Sequence, residues 1–524
     1  MDAASGSTSS FQEVRATLPE VIDGHALTYA EKTAIRCGTD RVTWAELGER
    51  LSIFANFLSD EGVGPGDNVV ILGSNKIDTI VAIFGTIKSG GCAVPLSGML
   101  ASEQLDVMIA DAAPKFVVAT KSLFDLIEPV RTGNPGVIPE GWIALDFSAP
   151  GWRSFFDIAA HTRSEWIPRR YDAQSPCIII YSSGTTGLPK GIVHSHHSRY
   201  ELAHLCALEM RFAHDSVALT TTAVYSMGTF LMMLPVFFTG ATLVVMEKFT
   251  PGGFIEIATR ERISHSFMVP SQFLMILTDQ PAGLQQLGSL KCLLSAGSPL
   301  RAELKHRILR EMTPNLYELY GCSEGFATVL KPEQQAAHGH TVGAPLLGYL
   351  AEIVDASGNV LSRGEVGEIV GFGGSLMTCY NNRPAETASA IWYDSAGRNF
   401  LRTGDIGSID EHGFLSILDR KKDMIISGGF NVFPVDIERI LASHEAILDC
   451  AVIGVPHPKW DETPYAFVIL KDRHSVAPDE LREWINARVS RTQRISGLQI
   501  VLDLPRNALG KVLKRELRER YSVT

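Results

Sequence analysis

The chain has 524 residues, 45% of them hydrophobic and 20% charged, and its formal net charge is −11. The length exceeds one ordinary domain, so several hydrophobic cores are expected, and the composition is that of a globular protein. The acidic excess disfavours a nucleic-acid partner, because no basic stripe is available to hold backbone phosphates. The densest basic segment, "KVLKRELRER" at 511–520, follows a helical pattern that is typical of a solvated helix face.

Eight cysteines are scattered along the chain without a C-x-x-C pair. Most lie in apolar runs, which favours buried, reduced thiols in a cytoplasmic protein over a disulfide or zinc framework. The N-terminal "MDAASGSTSSFQE" is expected to be disordered and is not a signal peptide, since no basic segment precedes an apolar one. No run has the length of a membrane span; the longest, 227–245, contains Pro235 and is predicted to form helix, turn and strand.

Helical and strand patterns alternate through the first part of the chain. The helical "WAELGERLSIFANFLSDEG" precedes the buried-strand pattern "NVVILG", and similar pairs follow, such as "DTIVAIFGTIKSG" with "CAVPL". A second series starts at "CIIIY" and continues through "TLVVM", "HSFMVP" and "CLLSAG" to "NLYELYG". This alternation predicts a layered α/β fold with mainly parallel strands.

The pattern changes after Gly343. Short strands at turn-rich spacing up to Leu418 predict a small β subdomain. The charged cluster at 419–423, "DRKKD", is interpreted either as a hinge or as an ordinary exposed turn, and the helices and strands beyond it suffice for a small α+β domain. We therefore predict a large N-terminal domain over residues 1–418 and a small, mobile C-terminal domain over residues 419–524.

The segment "YSSGTTGLPKG" at 181–191 differs from the common phosphate-binding loop. Gly184 and Gly187 are too close together, Pro189 precedes Lys190, and a strand pattern follows where that loop would begin a helix. We predict a strand, a loop and a second strand, with loop N–H groups and hydroxyls able to fold over an anion. Taken alone, the segment is equally consistent with a glycine-rich surface turn.

Three other segments carry groups that suit a nucleotide. "LYGCSEG" at 319–325 offers Tyr320 to stack on a base, Ser323 for a phosphate and Glu324 for Mg²⁺, after a strand where α/β proteins bind ligands. "FLRTGDIG" offers Asp405 for ribose hydroxyls, and "LPRNALGKVLKREL" presents Lys511. Each also fits a structural role: a common loop, a turn cap and a solvated helix start. Jointly they are what a nucleoside-triphosphate site requires.

Five segments together resemble the ordered signature motifs of the adenylate-forming superfamily: "YSSGTTGLPKG", "YGCSE", "RTGD", "DRKKDMIISGGFNVFPVDIE" and "PRNALGK". This superfamily includes acyl- and aryl-CoA synthetases, non-ribosomal peptide adenylation domains and firefly luciferase. The resemblance extends from about Val42 to the end of the chain. It implies an ATP- and Mg²⁺-dependent enzyme that converts a carboxylic acid to an acyl adenylate and then to a CoA thioester, releasing pyrophosphate and AMP.

The resemblance also implies the ATP-binding positions. The loop at 182–190 would cradle the β- and γ-phosphates, Tyr320 would stack on adenine, and Glu324 would hold Mg²⁺. Ser323, where the family usually has threonine, would touch the α-phosphate. The complete implied set is Ser182, Ser183, Gly184, Thr185, Thr186, Gly187, Lys190, Ala296, Gly297, Ser298, Glu318 near the adenine amino group, Tyr320, Ser323, and Asp405 with Arg420 at the ribose.

Lys511 and Glu324 are the implied catalytic residues. Lys511 would reach the substrate carboxylate and the α-phosphate, because an ammonium placed there stabilises the charge that develops during attack. The C-terminal domain would rotate about Asp419, withdraw Lys511 and bring "SGGF" to the site. The implied CoA contacts are Gly428 and Gly429, which let pantetheine pass close to the backbone, with Trp460 and Arg494 as further candidates. Trp460 fits a packing role equally well.

The implied acid pocket comprises Tyr225, Met227, Phe230, Met268, Ser295, Gly321 and Gly325. Amino-acid-activating members commonly have an aspartate near Tyr225, and no acid occurs between Thr221 and Leu234, which disfavours an α-amino acid. Many CoA ligases have a histidine there, so Tyr225 departs from the pattern. The apolar side chains indicate an adaptable pocket or plain core, and no cation in these segments calls for a second substrate carboxylate. An aromatic, alicyclic or medium-chain acid fits best, with aromatic slightly ahead.

Other functions stay open at this point. One alternative is a stand-alone adenylation enzyme that loads the pantetheine of a carrier protein. A non-catalytic nucleotide-binding protein is opposed by the intact Lys190, Glu324, Asp405 and Lys511, and a luciferase-like oxygenase is a more remote alternative, since fold alone does not fix function. We expect a cytoplasmic monomer or homodimer without a membrane span.

Overall fold

The computed structural model describes residues 16–131, 141–167, 171–182, 189–427, 430–471, 475–506 and 512–523. The helices are α1 (Leu18–Thr28), α2 (Trp44–Asp60), α3 (Ile77–Ser89), α4 (Ser102–Ala112), α5 (Phe124–Arg131), α6 (Phe155–His161), α7 (His196–Glu209), α8 (Met227–Thr239), α9 (Pro251–Arg260), α10 (Pro270–Asp279), α11 (Ala302–Arg307), α12 (Gln335–His338), α13 (Pro384–Ser389), α14 (Pro434–Leu441), α15 (Pro478–Asn486) and α16 (Lys514–Val523).

The strands of the first half are β1 (Thr33–Cys37), β2 (Asp40–Thr43), β3 (Asn68–Leu72), β4 (Cys92–Pro95), β5 (Phe116–Ala119), β6 (Trp142–Ala144), β7 (Arg153–Ser154), β8 (Pro176–Ser182), β9 (Lys190–Ser195), β10 (Val217–Thr220), β11 (Thr242–Val245) and β12 (His265–Met268). Those of the second half are β13 (Cys292–Ser295), β14 (Leu316–Gly321), β15 (Ala327–Leu330), β16 (Ala344–Pro345), β17 (Leu350–Val354), β18 (Gly367–Phe372), β19 (Cys379–Tyr380), β20 (Ile391–Tyr393), β21 (Asn399–Ile409), β22 (Leu415–Arg420), β23 (Ile425–Ser427), β24 (Phe430–Val432), β25 (Ile447–His457), β26 (Asp461–Leu470) and β27 (Gly497–Ile500).

Two large sheets form the body of the molecule. The first sheet has the order β19-β9-β8-β4-β3-β5-β6-β7, and the second has the order β16-β15-β14-β13-β12-β10-β11-β1-β2. Their central strands are parallel. A layered α/β fold with mainly parallel central strands is thereby confirmed.

A shared core lies between the two sheets. Successive residues of a strand face opposite sides, so Val69 and Ile71 of β3 enter this shared core, whereas Val70 and Leu72 enter a separate core on the far side. Helices α1, α2, α3, α7 and α8 contribute buried side chains to the shared core together with strands of both sheets. Both faces of the parallel sheets are therefore covered, as apolar strand runs such as "NVVIL" require.

Two smaller sheets follow. One has the order β17-β18-β21-β20, with β22 paired to β21, and corresponds to the β subdomain expected after Gly343. The other has the order β24-β23-β26-β25, with β27 paired to β26, and α14 and α15 pack on it. The predicted small α+β unit at the C-terminal end is thus present, while its boundary between Leu418 and Asp419 stays a prediction.

Some sequence expectations differ from the structure in detail. "CIIIY" forms β8 of the first sheet, beside β4, although its place in the chain suggested that it opens the second series. The helix after the glycine-rich segment and β9 begins at His196, because the Ser195 hydroxyl accepts the Ser198 N–H at 3.1 Å and caps it. The segment at 227–245 forms helix α8 and strand β11, as predicted.

The link to the C-terminal part is buried and charged. The Asp419 carboxylate accepts N–H groups of Arg420 and Val435 at 2.7 and 3.3 Å, and burial raises its pKa. Lys514 of α16 forms an ion pair with Glu438 of α14 at 2.8 Å. Burial opposes the charge of Lys514, but Glu438 and Asp419 outweigh it and raise its pKa. The final helix is therefore tied electrostatically to the segment that contains Asp419.

One ion-pair cluster joins the second large sheet to the C-terminal part. Arg301, just before α11, pairs with the carboxylate of Asp449 on β25, and Arg506 pairs with the other oxygen of the same carboxylate. The Arg301 side chain also donates to the Leu448 carbonyl at 3.3 Å. Asp449 thus contacts residues from both parts of the chain.

Most of the cysteine side chains are buried thiols that form no disulfide. All eight cysteines are free, and six of them are buried. Within the described ranges, none of the helices combines the length and apolar character needed to cross a membrane. The N-terminal segment expected to be disordered lies outside the described residues.

The aromatic contact between α3 and α8 tests the shared core. Phe84 is 1% exposed and meets Phe237 edge-on at 4.6 Å between ring centroids. We expect Phe84→Ala to destabilise the fold by about 3–5 kcal/mol, because a large buried ring is replaced by a cavity. Urea unfolding followed by circular dichroism measures this, with Phe156→Ala, at a position 83% exposed, as the control. Equal unfolding midpoints in the two variants would contradict this account of the core.

Candidate active site

The predicted strand–loop–strand segment is a hairpin of β8 and β9. The strands are antiparallel, and Ser182 is opposite Lys190 at the open end. Next to Ser182 on β8, the Tyr181 hydroxyl donates to the Asp111 carboxylate at 2.7 Å. The Asn381 side chain donates to the Asp111 backbone carbonyl at 2.9 Å. Predicted positions that lie outside the described residues are Ser183, Gly184, Thr185, Thr186, Gly187, Gly428, Gly429 and Lys511.

A carboxylate bridge joins two of the predicted nucleotide-binding segments. The Tyr320 hydroxyl, at the end of β14, donates to Asp405 Oδ2 at 2.6 Å. Asp405 Oδ1 pairs with Arg420 Nε at 3.0 Å, because Asp405 on β21 is directly opposite Arg420 on β22. Burial and the Asp405 charge raise the pKa of Tyr320 well above its usual range. Burial acts against the Arg420 charge, but Asp405 outweighs it and raises the pKa of Arg420.

A second cluster surrounds Tyr380. Its hydroxyl donates to Glu324 Oε1 at 2.8 Å, and Lys190 Nζ lies 5.0 Å from its ring centroid. Burial and the Glu324 charge raise the pKa of Tyr380, so the hydroxyl stays a donor. Strand β19 places this tyrosine, since Tyr380 pairs with Ile192 of β9. One aromatic ring therefore contacts both the cation and the carboxylate expected to handle phosphates and metal.

The loop between Tyr320 and Phe326 is also in contact with β9 and with Ser375. His194 of β9 makes a 2.9 Å hydrogen bond to the Ser323 carbonyl oxygen, and burial lowers the pKa of His194 well below its usual range. Gly325 has a φ of +107°, and a Cβ there would lie 2.1 Å from the Ser375 carbonyl oxygen. Only glycine fits this position.

The adenine-side residues are partly engaged. Glu318 forms an ion pair with Lys305 and accepts from Gln335 Nε2 at 3.3 Å, and both contacts are made by its Oε1. The segment 296–298 follows β13 and includes Gly297 with a φ of +90°. The hydroxyl of Ser295, at the end of β13, is buried and has no hydrogen-bond partner among the described residues.

The predicted acid-pocket residues fall into two groups. Tyr225 and Met227 are half-buried at the start of α8, and Gly321 and Gly325 flank the 322–324 loop, close to the clusters above. Phe230 is buried in the shared core. Met268 is fully buried in a different core on the far face of the second sheet, with Phe273. On β12, Met268 is directly opposite Ser295 of β13, another predicted pocket residue.

The described candidates for CoA lie on the surface of the C-terminal part. Trp460 is 39% exposed, stacks with His457 at 6.4 Å and has Lys459 Nζ 4.7 Å from its ring. Arg494 is exposed. Both positions are accessible to a ligand, and their roles toward CoA stay predictions.

The donor set around Glu324 suits Mg²⁺ bound together with a nucleotide. Mg²⁺ is commonly held by one or two carboxylates plus substrate phosphates and waters. In the described ranges, no group of three or more His, Cys, Asp or Glu side chains is arranged to hold a metal ion. A single half-buried carboxylate that a tyrosine orients fits the phosphate-dependent mode.

Comparisons with known proteins agree with this geometry. The family model described as "AMP-binding enzyme" matches residues 22–381, and that described as "AMP-binding enzyme C-terminal domain" matches residues 436–511. The chain belongs to the AMP-binding enzyme family. This places it in the adenylate-forming superfamily as an acyl- or aryl-CoA synthetase, an AMP-forming acid–thiol ligase with ATP and CoA as substrates.

Individual members of the family are similar over nearly the whole chain. Feruloyl-CoA synthase from Amycolatopsis sp is 30% identical over 495 residues, covering 93% of this chain and 96% of the relative. The fatty acid–[acyl-carrier-protein] ligase ScoC from Streptomyces coeruleorubidus is 28% identical, covering 96% of each chain. The ATP-bound crystal structure of MatB from Rhodopseudomonas palustris has a TM-score of 0.87 and 28% identity, covering 97% of this chain and 99% of that one.

Two contacts of this family member were not found from its sequence. Tyr380 lies in "LMTCYNN", 56 residues beyond Glu324, and no spacing rule links the two. His194 carried a weak signal, because "GIVHSHH" places a histidine in an apolar strand pattern. Both are brought to the 322–325 loop by strand pairing in the first sheet.

The Tyr380 hydroxyl gives a test of the Glu324 cluster. We expect Tyr380→Phe to lower kcat for acid-dependent pyrophosphate release about tenfold, because Glu324 loses one oriented donor worth about 1.4 kcal/mol while the ring stays beneath Lys190. Steady-state kinetics with saturating ATP measures this, and Tyr393→Phe, at an exposed position, is the control. An unchanged kcat in Tyr380→Phe would show that Glu324 does not depend on this donor.

The Asp405 bridge gives a separate test of nucleotide binding. We expect Asp405→Asn to weaken ATP binding at least about tenfold, since the change leaves Arg420 without its paired charge and disturbs Tyr320. Isothermal titration with ATP measures the Kd, and Asp479→Asn on the exposed start of α15 is the matched control. If Asp405→Asn binds ATP as the wild type does, the bridge is not part of the nucleotide site.

Proposed function

We propose that this enzyme uses ATP and Mg²⁺ to activate an aromatic, alicyclic or medium-chain carboxylic acid as an acyl adenylate, which it then transfers to CoA. The observation that carries the proposal is the convergence of two clusters on one loop. Tyr320 reaches Asp405 and Arg420 on one side of this loop, and Glu324 reaches Tyr380 on the other. A nucleotide base and ribose on the first side would place phosphates toward the second.

The first half-reaction needs charge stabilisation more than a protein nucleophile. A substrate carboxylate oxygen forms a bond to the α-phosphorus, the bond from that phosphorus to the bridging β-phosphate oxygen breaks, and pyrophosphate leaves. We assign Glu324 to hold Mg²⁺, which when bound neutralises charge on the phosphates. Lys190, 5.0 Å from the Tyr380 ring, is assigned to the departing phosphates, and Lys511 to the attacking carboxylate and α-phosphate.

The second half-reaction transfers the acyl group. The CoA sulfur bonds to the acyl carbon, the bond to the AMP oxygen breaks, and the thiol proton is released. The resemblance assigns this step to a rotated C-terminal domain over 419–524, turning about Asp419, with Gly428 and Gly429 beside the pantetheine. The ion pair of Lys514 with Glu438 supports this scheme, because it ties helix α16, which follows Lys511, to α14 near the hinge.

The proposed acid class rests on the residues near Tyr225. The half-buried Tyr225 and Met227 leave an apolar, adaptable entrance with no aspartate for an α-amino group. The feruloyl-CoA synthase relative, named for an aromatic acid, supports an aromatic substrate. We therefore place aromatic acids first.

An alternative acceptor is the pantetheine of a carrier protein. ScoC, named as an acyl-carrier-protein ligase, supports it. In that case the enzyme would release pyrophosphate from ATP and acid but form no acyl-CoA with free CoA. The two acceptors thus differ in one measurable product.

The central test is a screen of acids with ATP, Mg²⁺ and CoA. We expect acid-dependent pyrophosphate release and acyl-CoA detected by mass spectrometry for at least one aromatic acid. Lys511→Ala should lower the rate of adenylate formation by at least about a hundredfold and affect thioester formation from added acyl adenylate far less, because its ammonium acts only in the first step. Lys291→Ala, at an exposed position, is the control.

Three results would contradict this assignment. Absence of acid-dependent pyrophosphate release with every acid would contradict the proposed reaction. Pyrophosphate release without acyl-CoA would favour the carrier protein. An equal loss of rate in both half-reactions of Lys511→Ala would contradict the proposal that Lys511 acts only in the first step.

A further inference from the structure

A buried arginine lies beneath the proposed acid pocket without an acidic partner. Arg199 on α7 is 2% exposed, and among the described residues it forms no ion pair. Its Nη2 donates to the Ser375 carbonyl oxygen at 2.9 Å, and its Nη1 contacts the Met227 sulfur at 3.7 Å. Its Nε has no hydrogen-bond partner within the part of the chain that the structure describes. Burial lowers its pKa to about 10, so the side chain is still a cation at neutral pH.

Among the described residues around Arg199, none supplies the missing negative charge. The pKa values of Cys177 and Cys206 are raised by burial to about 12, and burial raises that of Tyr349, so these groups are neutral near pH 7. In the described ranges, His194 Nδ1 and both ring nitrogens of His196 are buried without hydrogen-bond partners. Burial lowers the pKa of His196 to about 4, so this imidazole is neutral too. A buried cation without a compensating anion is strongly unfavourable, which points to an anion from outside the protein.

Arg199 contacts the acid pocket through residues that were assigned to it independently. Met227, which the Arg199 side chain touches, is half-buried at the start of α8. Ser375, which accepts from Arg199, donates its hydroxyl to the Gly325 carbonyl at 2.7 Å. Phe230 and Arg199 line the same small cavity of about 10 Å³. Of the proposed pocket residues, Met227 therefore contacts the guanidinium directly, Gly325 is linked to it through Ser375, and Phe230 shares a cavity with Arg199.

The contact with Met227 provides a route to this cation. A methionine side chain is unbranched and adapts easily, so its sulfur is readily displaced by a substrate arm. The guanidinium then keeps its bond to Ser375 and still has unused donors on Nε and Nη1. Arginine binds carboxylates through several charge-assisted hydrogen bonds, which suits it to a site that excludes water.

We propose that the acid activated by this enzyme carries a second anionic group, remote from the reacting carboxylate, and that Arg199 binds this group. The inference rests on the proposed function and narrows its substrate class to dicarboxylic acids and their sulfonate analogues. The sequence expectation that no cation calls for a second substrate carboxylate applied only to the segments assigned to the pocket. That expectation considered 221–234 and neighbouring loops, whereas Arg199 reaches the pocket from α7.

The test compares acids that differ only in the remote charge. Suitable pairs are terephthalate with its monomethyl ester and adipate with its monomethyl ester, assayed by acid-dependent pyrophosphate release. For at least one pair, we expect the wild type to show a kcat/KM at least about thirtyfold higher for the diacid. Arg199→Met should lower the ratio of diacid to ester activity at least about thirtyfold, while Arg199→Lys should recover part of this ratio. A sulfonate analogue that follows the diacid would show that charge, rather than carboxylate shape, is recognised.

A matched control removes a different buried cation. Lys88 on α3 is 1% exposed and pairs with Asp23, and it is not one of the pocket residues named above. Lys88→Met should lower stability without changing the ratio of diacid to ester activity. A changed ratio in Lys88→Met would contradict a specific role for Arg199.

The outcomes separate this inference from the proposed function. If no acid supports pyrophosphate release, the proposed function fails. If acids are activated but the wild type favours every ester, or Arg199→Met lowers diacid and ester activity equally, the remote-anion proposal is overturned and Arg199 only supports Ser375. The wild-type comparison decides even if Arg199→Met does not fold.

Discussion

The loop from Tyr320 to Gly325 is the element on which the rest of the site depends. It leaves the second sheet at β14, yet its hydrogen-bond partners come from elsewhere: Asp405 from the β subdomain, and Tyr380 and His194 from the first sheet. Backbone and side-chain groups of one short loop thereby fix the relative positions of three sheets. A disturbance in any of these sheets is transmitted to the groups expected to bind ATP.

Tyr380 contacts two opposite charges of this site, those of Lys190 and Glu324. A lysine and a carboxylate that both serve a phosphate ligand would neutralise each other if they met directly. In the described part of the chain, Lys190 and Glu324 form no ion pair with each other. Instead, Tyr380 contacts the lysine with the face of its ring and the carboxylate with its hydroxyl. The aromatic residue thus keeps both charges available for ligands.

The sequence was sufficient for much of this molecule, and the reasons are local. Hydrophobic periodicity predicted α2, β3 and the β8–β9 hairpin, and the motif resemblance placed Tyr320, Asp405 and Arg420 in one site, where the structure joins them. Tyr380 and Arg199 were not predicted, because their partners Glu324 and Ser375 are 56 and 176 residues away. Periodicity also does not tell which sheet a strand joins, so β8 was grouped with the wrong series. Such contacts depend on sheet topology rather than on local pattern.

Asp449 sets how firmly the two parts of the chain hold each other. Its carboxylate is shared by Arg301 of the N-terminal part and Arg506 of its own part, so separation of the parts leaves the carboxylate paired. Breaking one half-exposed ion pair costs only about 0.2–1 kcal/mol. This would change the ratio between an orientation with the two parts in contact here and one with them apart by less than about tenfold. For the rotation proposed for the C-terminal domain, the Arg301–Asp449 pair would therefore favour one orientation without fixing it. Added salt, which screens exposed pairs, would favour the orientation in which Arg301 and Asp449 are apart.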